Sequence, residues 1–294
     1  MSQLILLPCL DSDERAARCR EALDIPRHRA AELGRTAVAA AEASFYRNAG
    51  GEPVDWRAAV AQTVAAKCGL PPNAPLPEPG AVRYPETRVQ VANETTLVAA
   101  RRLTDASDRV LALNFANAIH PGGGFLNGAR AQEEVLCRSS ALYATLYGDA
   151  MYAAHSARPQ PDSTDWAILS PDVPVFRTDD GMPLDRPWSL SFLTCAAPYA
   201  PAIGQPLAGA LLQARIHRAL AIARAYGYPS LVLGAWGCGA FGNDPARAAR
   251  DFHDALAGAF AGAFQEVVFA IADWSPGRRY LAPFRDLFAA RAGV

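Results

Sequence analysis

The spacing of hydrophobic residues along the chain changes near residue 80. Before it, the segments DERAARCREAL, RHRAAELGRTAVAAAEASFYRNAGG and DWRAAVAQTVAAK are rich in alanine and arginine, which favours helix. Asp55 opens the third segment and is a candidate N-cap. Residues 69–80, GLPPNAPLPEPG, are rich in proline and glycine, which is typical of a stiff connector. The pattern predicts a helical accessory segment and connector over residues 1–80 and a second domain over residues 81–294.

Beyond the connector, apolar strand-like segments alternate with amphipathic helix-like segments. The strand-like segments are RVQVA, RVLALNFA, WAILS, WSLSFLTCAA, SLVLGAW and EVVFAIAD. The helix-like segments are TTLVAARRLTDA, a run after three consecutive glycines, QPLAGALLQARIHRALAIARAYG, DPARAARDFHDALAGAFAG and RRYLAPFRDLFAARAG. Nearly continuous apolar strands are expected in a sheet covered on both faces. The alternation predicts an α/β fold with three layers, α/β/α, around a mostly parallel central sheet.

The run that follows the glycines is predicted to form one amphipathic helix. Its apolar side chains recur at helical spacing, which places them on one face. They are Val135, Leu136, Leu142, Tyr143, Leu146 and Tyr147. The strand RVLALNFA (109–116) comes shortly before the glycines, so the loop between them leaves the carboxyl end of a strand. Sheets of this kind bind ligands beyond that end.

Three successive glycines, Gly122 to Gly124, make the first loop a candidate binding loop. Glycine lacks a Cβ and adopts positive φ, so backbone N–H groups can approach a ligand closely. An anionic group is the natural occupant of such a nest of N–H groups. A flexible turn is the structural alternative. The sequence QEE that follows, Gln132 to Glu134, favours the binding interpretation.

A second glycine loop, GAWGCGAFGNDP, also lies between a predicted strand and a predicted helix. Gly237, Gly239 and Gly242 have the G-x-G-x-x-G spacing of a dinucleotide-binding fingerprint. Asp273 nearly fits the acid expected at the end of the next strand. However, only about fifty residues follow the motif, too few for the remaining strands of a nucleotide-binding half. We prefer a glycine loop and helix N-terminus that hold a diphosphate, with Asp244 as N-cap.

Glu133 and Glu134 are adjacent acids at the start of a predicted helix. Adjacent carboxylates repel, which favours holding one of them protonated near neutral pH. A protonated carboxylic acid can donate its proton to a leaving oxygen, as glycoside cleavage requires. A helix N-terminus has the opposite effect, because it stabilises the anion. Solvent-facing acids in a first helical turn are the structural alternative, and the sequence leaves both open.

Three further residues are candidates because of their place in these loops. Asn117 comes just after a strand, where its amide either caps a turn or binds a ribose hydroxyl. Phe241 lies inside the second glycine loop and is a candidate lid on a sugar or base, with a core anchor as the alternative. Cys238 is not expected to be a nucleophile, because no histidine is close in sequence and His253 lies on the following helix.

Charge and cysteine content limit the function classes. The formal net charge is −1, so a general nucleic-acid-binding surface is not expected. The six cysteines contain no CxxC pair, which argues against a structural zinc site and fits reduced thiols. The first residues, MSQLILLPCLDSDER, lack the basic start of a signal peptide, and no apolar stretch is long enough to span a bilayer. The sequence predicts a cytoplasmic protein without a metal or cofactor.

The segment GGGFLNGARAQEE has three glycines, seven residues and then QEE, and it resembles the signature of poly(ADP-ribose) glycohydrolases. The flanking segments LNFANAIHPGGGF, SPDVPVFR and LGAWGCGAFGNDP are similar to the bacterial branch of that family. The resemblance covers roughly residues 86–290, and the helical N-terminus resembles the accessory segment of bacterial members. It implies a macrodomain-like fold and hydrolysis of the ribose–ribose O-glycosidic bond of poly(ADP-ribose), which releases ADP-ribose.

The resemblance also implies roles for individual residues. Glu134 is expected to protonate the departing ribose oxygen and then to activate water, and Glu133 to bind ribose hydroxyls beside the scissile bond. Asn117 is expected to orient the terminal ribose, and Phe241 to press on it. The predicted substrate-binding residues, including both loops that hold the diphosphate, are Asn117, Gly122, Gly123, Gly124, Gln132, Gly237, Cys238, Gly239, Ala240, Phe241 and Gly242.

The expected partners are poly(ADP-ribose), ADP-ribose and ADP-ribosylated proteins, bound by a monomer. No membrane or direct nucleic-acid partner is expected. The alternatives are an ADP-ribose-binding macrodomain without turnover, a hydrolase of single ADP-ribose units on proteins, and an NAD-dependent oxidoreductase that uses the G-x-G-x-x-G loop. The intact QEE favours a hydrolase over a binding module, because a module that only binds does not need an acid.

Overall fold

An eight-stranded sheet runs through the protein in a computed structural model that describes residues 2–80, 83–106 and 109–290. The strands of the chain are β1 (Gln3–Leu6), β2 (Phe45–Arg47), β3 (Pro53–Asp55), β4 (Cys68–Leu70), β5 (Glu86–Ala92), β6 (Val110–Ala116), β7 (Ala167–Arg177), β8 (Pro183–Ala196), β9 (Ser230–Leu233) and β10 (Glu266–Ala270). The helices are α1 (Asp13–Leu23), α2 (Arg27–Ala43), α3 (Arg57–Ala66), α4 (Thr96–Thr104), α5 (Gln132–Ser139), α6 (Leu142–Leu146), α7 (Ala150–Ser156), α8 (Ala200–Ile203), α9 (Leu207–Ala225), α10 (Pro245–Ala257) and α11 (Ala282–Phe288). Short 3-10 turns cover Phe125–Asn127 and Pro276–Arg278.

The sheet has the strand order β1-β5-β10-β9-β6-β8-β7-β4. In this order, the first six strands, from β1 to β8, are parallel to their neighbours. The pairs β8–β7 and β7–β4 are antiparallel. A separate two-stranded hairpin is formed by β2 and β3. The predicted mostly parallel sheet is confirmed. Apolar runs such as WAILS did not indicate the antiparallel pairing, because burial on both faces gives the same pattern in either direction.

Helices cover both faces of the sheet. In β6, Leu111 and Leu113 pack in one core cluster with side chains of α9, α10 and α11. The alternate residues Val110 and Ala112 pack in a second cluster with side chains of α4, α5 and α6. All four side chains are at most 3% exposed. The three-layer architecture therefore follows from the alternation of side chains along a strand.

The first 80 residues supply both edges of the sheet. β1 pairs with β5, and β4 pairs with β7. α2 packs against α5 and against the turn at Phe125–Asn127, and α3 packs against β7. Gly34 permits the close contact of α2, because a Cβ there would lie 2.7 Å from the carbonyl oxygen of Phe125. The helical prediction for this segment missed both edge strands, which are only four and three residues long.

The second predicted helix is too long, and this part of the prediction is wrong. α2 ends at Ala43, Ser44 takes a left-handed conformation (φ 64°), and the β2–β3 hairpin follows. Tyr46 of the hairpin is buried and packs edge-on against Trp56, with ring centroids 5.4 Å apart. Burial of this aromatic pair outweighs the helix propensity of the preceding alanines.

Two residues were predicted as helix N-caps. Asp244 is the N-cap of α10, and its carboxylate accepts a hydrogen bond from the N–H of Ala246 at 2.9 Å, which confirms the prediction. The prediction for Asp55 is wrong by one residue, because the N-cap of α3 is Trp56. The carboxylate of Asp55 nevertheless accepts a hydrogen bond from the N–H of Arg57 at 2.8 Å. It therefore satisfies one of the free N–H groups of the first turn.

The single helix predicted after the glycines is also wrong, because the chain forms two helices there. α5 ends just before Ser140, which forms an isolated bridge with Val175 of β7. The Ser140 hydroxyl donates to the carbonyl of Leu136 at 2.7 Å and accepts from the N–H of Leu142 at 3.2 Å. Such local side-chain bonds compete with helix. Tyr147, which the periodicity placed on the apolar face, is 70% exposed.

The C-terminal helix is shorter than the sequence predicts. α11 covers only Ala282–Phe288, and the predicted helix continued to residue 293. Residues 291–294 lie outside the described residues, so the end of that prediction is not tested. Across the described ranges, none of the helices combines the length and the apolar character needed to cross a membrane.

Candidate active site

A cavity of about 450 Å³ opens at the carboxyl ends of the parallel strands. Its walls come from the loops after β5, β6, β9 and β10 and from the start of α5. Glu94, Asn117, Gly237 and Trp274 represent these four loops on the cavity wall. The position agrees with the rule that open α/β sheets bind ligands beyond the carboxyl ends of their strands. The volume is typical of a small-molecule site.

Gln132 fixes the first turn of α5 to the end of β6. Its side-chain oxygen accepts a hydrogen bond from the N–H of Phe115 at 2.9 Å, and its amide nitrogen donates to the carbonyl of Leu113 at 2.7 Å. The same nitrogen donates to the Thr96 hydroxyl at 3.2 Å. The amide is therefore committed to the protein, although Gln132 lines the cavity. Its predicted contact with substrate stays a prediction.

Glu133 is a buried acid beside the cavity, only 3% exposed. Its carboxyl oxygen accepts a hydrogen bond from the N–H of Asn117 at 2.7 Å, and the amide of Asn114 lies 3.4 Å from the other oxygen. Burial raises the pKa of Glu133 to about 8, and the negative charge of Glu134 acts in the same direction. Hydrogen bonds from Asn117, Asn114 and the backbone of Gly122 lower the pKa but do not offset burial. Glu133 therefore retains its proton near neutral pH.

Glu134 is the second acid, 8% exposed and also on the cavity wall. One oxygen, Oε1, accepts a hydrogen bond from the N–H of Gly124 at 2.9 Å. The other oxygen, Oε2, is buried and has no hydrogen-bond partner within the part of the chain that the structure describes. A buried acceptor without a partner is costly and is characteristic of functional sites. Neither acid is a solvent-facing residue of a first helical turn, so that alternative is wrong.

The glycines of the first loop make room for these acids. Gly122 and Gly123 have φ of 70° and 60°, in the left-handed region. A Cβ on Gly123 would overlap Glu134 Oε1, and a Cβ on Gly122 would lie 2.9 Å from the ring of Phe125. Among the described residues, the cavity wall includes none of Gly122, Gly123 and Gly124. The structure thus gives Gly123 and Gly124 a role in seating Glu134, and the binding of a diphosphate by the three glycines stays a prediction.

The second glycine loop divides between the cavity and the core. Four of its predicted residues line the cavity: Gly237, Gly239, Ala240 and Phe241. Around Gly239 the backbone is open, because an added Cβ would meet nothing within 4 Å. Gly242 has φ 66° and packs against Pro201. Cys238 is 3% exposed in the core, and burial raises its pKa to about 12, which agrees with its rejection as a nucleophile.

Asn243 holds the second glycine loop in shape, and sequence reasoning missed it. Its amide nitrogen donates to the carbonyls of Pro198 at 2.9 Å and Gly237 at 3.1 Å. A Cβ on Gly237, where φ is 75°, would lie 2.7 Å from that nitrogen. The signal available in the sequence was the pair Asn243–Asp244, where an amide precedes a helix N-cap. Nothing local shows that one of its partners, Pro198, lies 45 residues away.

Hydrogen bonds and one ring contact fix the positions of Phe241 and Asn117. The carbonyl of Phe241 accepts a hydrogen bond from the N–H of Ala200 at 3.0 Å, and its ring meets the Tyr199 ring edge-on at 5.9 Å. The side-chain oxygen of Asn117 accepts hydrogen bonds from the N–H groups of Ile119 and His120, both at 2.9 Å. Asn117 is thus a turn cap, the first of its two alternatives. Its contact with a ribose stays a prediction.

Asp273 does not serve as the acid of a dinucleotide fingerprint. Its carboxylate accepts hydrogen bonds from the N–H groups of Ser275 at 2.8 Å, Tyr280 at 2.8 Å and Leu281 at 3.1 Å. Burial acts to raise the pKa of Asp273, but these bonds outweigh it and lower the pKa. The carboxylate is consumed in shaping the chain before α11. The oxidoreductase alternative loses the residue that it needed.

Asp179 on the cavity wall and its partner Arg138 were not predicted from the sequence. Asp179 lines the cavity, is 5% exposed, and accepts a hydrogen bond from the Thr95 hydroxyl at 2.7 Å. Burial raises the pKa of Asp179 to about 6. The fully buried Arg138 of α5 donates to the carbonyl of Asp179 at 3.1 Å. The sequence RTDDG contains two adjacent aspartates and gives no sign of which is buried.

Two buried carboxyl groups, one that keeps its proton and one with an oxygen left for another molecule, are the chemical groups of a glycosidase. The family comparison agrees with this class. The description "Microbial-type PARG, catalytic domain" matches residues 34–178. The chain belongs to the microbial-type poly(ADP-ribose) glycohydrolases, which are glycosidases with a macrodomain-like fold.

Solved structures of similar proteins cover most of the chain. The poly(ADP-ribose) glycohydrolase of Thermomonospora curvata is 44% identical, with a TM-score of 0.82, and the match covers 89% of this chain and 100% of that one. The same enzyme bound to the inhibitor ADP-HPD is 43% identical, with a TM-score of 0.81, over 88% and 99%. The Deinococcus radiodurans enzyme in complex with ADP-ribose is 39% identical, with a TM-score of 0.70, over 77% and 96%. A search of curated proteins found no match.

Proposed function

We propose that the cavity binds the terminal ADP-ribose unit of poly(ADP-ribose) and that the protein hydrolyses the ribose–ribose O-glycosidic bond next to it. The observation that carries this proposal is the carboxyl of Glu134, which lines the cavity with one oxygen fixed by Gly124 and the other without a partner among the described residues. The structures of similar enzymes with ADP-ribose and with ADP-HPD support the choice of ligand.

In the proposed reaction, the pair of acids enters with one proton, which Glu133 holds in the free protein. With substrate bound, this proton moves to Glu134, which donates it to the oxygen that links the two riboses while the bond from that oxygen to the terminal ribose breaks. A water molecule then adds to the anomeric carbon and returns a proton to Glu134. The products are ADP-ribose and a polymer shorter by one unit. The raised pKa of Glu133 supports this scheme, because the pair of acids enters the reaction with a proton to give. Negative charge left on the pair stabilises the positive charge that develops on the sugar.

The other predicted residues bind the ligand in this scheme. Glu133 accepts or donates hydrogen bonds to ribose hydroxyls, Asn117 orients the ribose and the Phe241 ring presses on it. Both glycine loops hold the diphosphate through backbone N–H groups. The open backbone at Gly239 supports this role for the second loop. The position of Phe241 on the cavity wall supports its role as a lid.

The experiment that tests the function follows free ADP-ribose after the protein is mixed with poly(ADP-ribose) or with mono-ADP-ribosylated protein. Release from the polymer supports the proposal. Release from the mono-modified protein alone indicates a mono-ADP-ribosyl hydrolase. Tight binding of ADP-ribose without release from either substrate indicates a binding module. ADP-ribosylated proteins are the proposed protein partners, and the two substrates of this experiment distinguish polymer from single units on them.

Three predictions about the whole protein also stay proposals. Residues 1–80 form an accessory segment to a catalytic domain over residues 81–294, the protein acts in the cytoplasm, and it is a monomer. The free cysteines among the described residues, including Cys9 and Cys68, are compatible with a reducing compartment. Light scattering coupled to size-exclusion chromatography tests the monomer directly.

A further inference from the structure

His155 is a buried histidine that contacts the loop after β6, the loop that holds Glu133 through Asn117. It is not among the residues that line the cavity. It lies on α7 and is 4% exposed. Its Nδ1 is 3.1 Å from the carbonyl oxygen of Ala118. Its Nε2 is 2.7 Å from the Thr164 hydroxyl and 3.2 Å from the backbone N–H of Thr164. Both ring nitrogens are therefore engaged by parts of the chain far apart in sequence.

These partners determine the protonation of the ring. A carbonyl oxygen only accepts a hydrogen bond, so Nδ1 carries a hydrogen and donates it to Ala118. A backbone N–H only donates, so Nε2 is unprotonated and accepts from Thr164. Burial lowers the pKa of His155, which agrees with the neutral ring. The ring is thus a fixed bridge between the loop after β6 and the segment just before β7.

The bridge ends beside the hydrogen bond that holds Glu133. Ala118 directly follows Asn117, whose N–H donates to Glu133 at 2.7 Å. The side chain of Asn117 caps the next turn of the same loop. The peptide group between Asn117 and Ala118 is therefore flanked by both contacts. The peptide group between Ala118 and Ile119 is held on both sides, its carbonyl by His155 and its N–H by the Asn117 side chain, so the His155 contact is part of the turn that carries the Asn117 N–H.

We propose that His155 is a positioning residue for Glu133: its Nδ1–H holds the Ala118 carbonyl and so fixes the Asn117 N–H on the Glu133 carboxyl. The inference rests on the proposed function where turnover is measured. The two ring contacts of His155 have different roles in this proposal. Only the Nδ1 contact acts through Asn117, whereas the Nε2 contact with Thr164 serves to hold α7.

A matched pair of variants separates the two ring contacts. His155→Asn places an amide near the position of Nδ1 and keeps the donor to Ala118. His155→Gln places its amide near the position of Nε2 and keeps a partner for Thr164. We expect His155→Gln to lower kcat by about tenfold, the rate equivalent of one hydrogen bond lost in the transition state. We expect His155→Asn to retain kcat within about threefold, with KM similar in both variants.

A double-mutant cycle tests the route through Glu133. If His155 acts through Glu133, His155→Gln in a Glu133→Gln background should add little further loss of kcat. Independent losses that multiply would overturn the inference. Equal losses in His155→Asn and His155→Gln would also overturn it, because they would indicate a packing role. Thermal unfolding of each variant shows whether the fold is kept.

Binding of ADP-ribose distinguishes a failure of this inference from a failure of the proposed function. If the wild-type protein releases no ADP-ribose from the polymer, the proposed function fails, and calorimetry with ADP-ribose then compares the variants instead. Weaker binding in His155→Gln than in His155→Asn would still support the positioning role. Equal affinities in the two variants would contradict it.

Discussion

Single residues around Glu133 and Glu134 form one hydrogen-bonded unit. The N–H of Gly124 fixes Glu134, the N–H of Asn117 fixes Glu133, and Gln132 fixes the turn that carries both acids. Each of these contacts uses a backbone group of a loop or strand end. Backbone donors hold a carboxyl in one orientation without a flexible partner side chain. The acids are therefore positioned before any ligand enters.

Gly123 is the residue where this unit tolerates least change. A Cβ there would overlap Glu134 Oε1, and φ is 60°. We expect Gly123→Ala to displace the Glu134 carboxyl and to reduce turnover of poly(ADP-ribose) by at least about a hundredfold, the usual scale of general acid–base catalysis. Gly80→Ala is the matched control, because a Cβ on Gly80 would meet nothing within 4 Å. Wild-type turnover in Gly123→Ala would contradict the proposed seating of Glu134.

Glu133 gives stability a specific dependence on pH. Its pKa is raised from 4.5 to about 8, so between these values the folded protein holds a proton that the unfolded chain has lost. The contribution of Glu133 to stability is therefore highest below the lower pKa and is lost as pH rises through the upper one. We expect the Tm of the wild type to fall between about pH 5.5 and about pH 8.5 by more than the Tm of Glu133→Gln.

The control for this titration is Glu78→Gln, which replaces an exposed glutamate of the connector. Its Tm should follow the wild type across the same range. Asp179 also has a raised pKa, about 6, but it is present in all three proteins and cancels in the comparison. Parallel curves for the wild type and Glu133→Gln would show that Glu133 does not hold a proton in the folded protein.

At the level of elements, α2 supports the first glycine loop, whose Gly124 N–H holds Glu134. It packs on the turn Phe125–Asn127, which immediately follows Gly124. Gly34 lies at this contact. A Cβ at this position would be only 2.7 Å from the carbonyl oxygen of Phe125. We expect Gly34→Val to separate α2 from the turn, lowering Tm and reducing kcat. Ala39→Val, at an exposed position of the same helix, controls for the poorer helix propensity of valine.

Calorimetry and turnover of the two α2 variants decide this point. Equal Tm and kcat in Gly34→Val and Ala39→Val would show that the contact of α2 with the turn does not support the site. A fall in Tm alone, with kcat unchanged, would show that α2 stabilises the fold but does not position Glu134. We expect Tm and kcat both to fall only in Gly34→Val.

The elements most visible in the sequence were the long apolar strands and the long helices. RVLALNFA and EVVFAIAD gave β6 and β10, because burial on both faces leaves an unmistakable apolar run. The β2–β3 hairpin was missed, since Tyr46 packs against Trp56 and against Phe176, and the second of these rings is remote in sequence. The break at Ser140 was missed because serine also occurs inside helices, and the bridge of Ser140 to Val175 of β7 is not visible in the local sequence. Local patterns do not contain such long-range partners.

For the whole molecule, the first residues protect an edge of the sheet. β1 pairs with β5 over Gln3–Leu6, and the N–H of Leu7 donates to the carbonyl of Val89 at 2.9 Å. Removal of residues 1–7 would leave the edge of β5 unpaired, which favours association between copies. We expect the truncated protein to have a lower Tm and to associate as concentration rises in light scattering. A monomer with the wild-type Tm would show that β1 is dispensable.

The site as a whole was only partly predictable. Glu133, Glu134 and the two glycine loops stand out because unusual residue types cluster beside predicted strand ends. The structure brings the acids and the second loop to one cavity wall. Asp179 and Thr95 could not be found in this way, because their burial results from the packing of β5 and β7 ends that are remote in sequence. The need for glycine at position 123 is also not visible in the sequence, because it arises from the contact of this residue with the Glu134 carboxyl.

Turnover and ligand affinity of Glu134→Gln decide whether Glu134 is the acid of the reaction. Glutamine keeps the size of the side chain and an oxygen for the N–H of Gly124, but it can neither give nor take the proton. We predict that release of ADP-ribose from poly(ADP-ribose) falls by at least about a hundredfold. The affinity for ADP-ribose should stay within about threefold, because the diphosphate contacts are unchanged. If Glu134→Gln degrades the polymer at a rate near that of the wild type, Glu134 is not the acid of the reaction and the proposed mechanism is wrong.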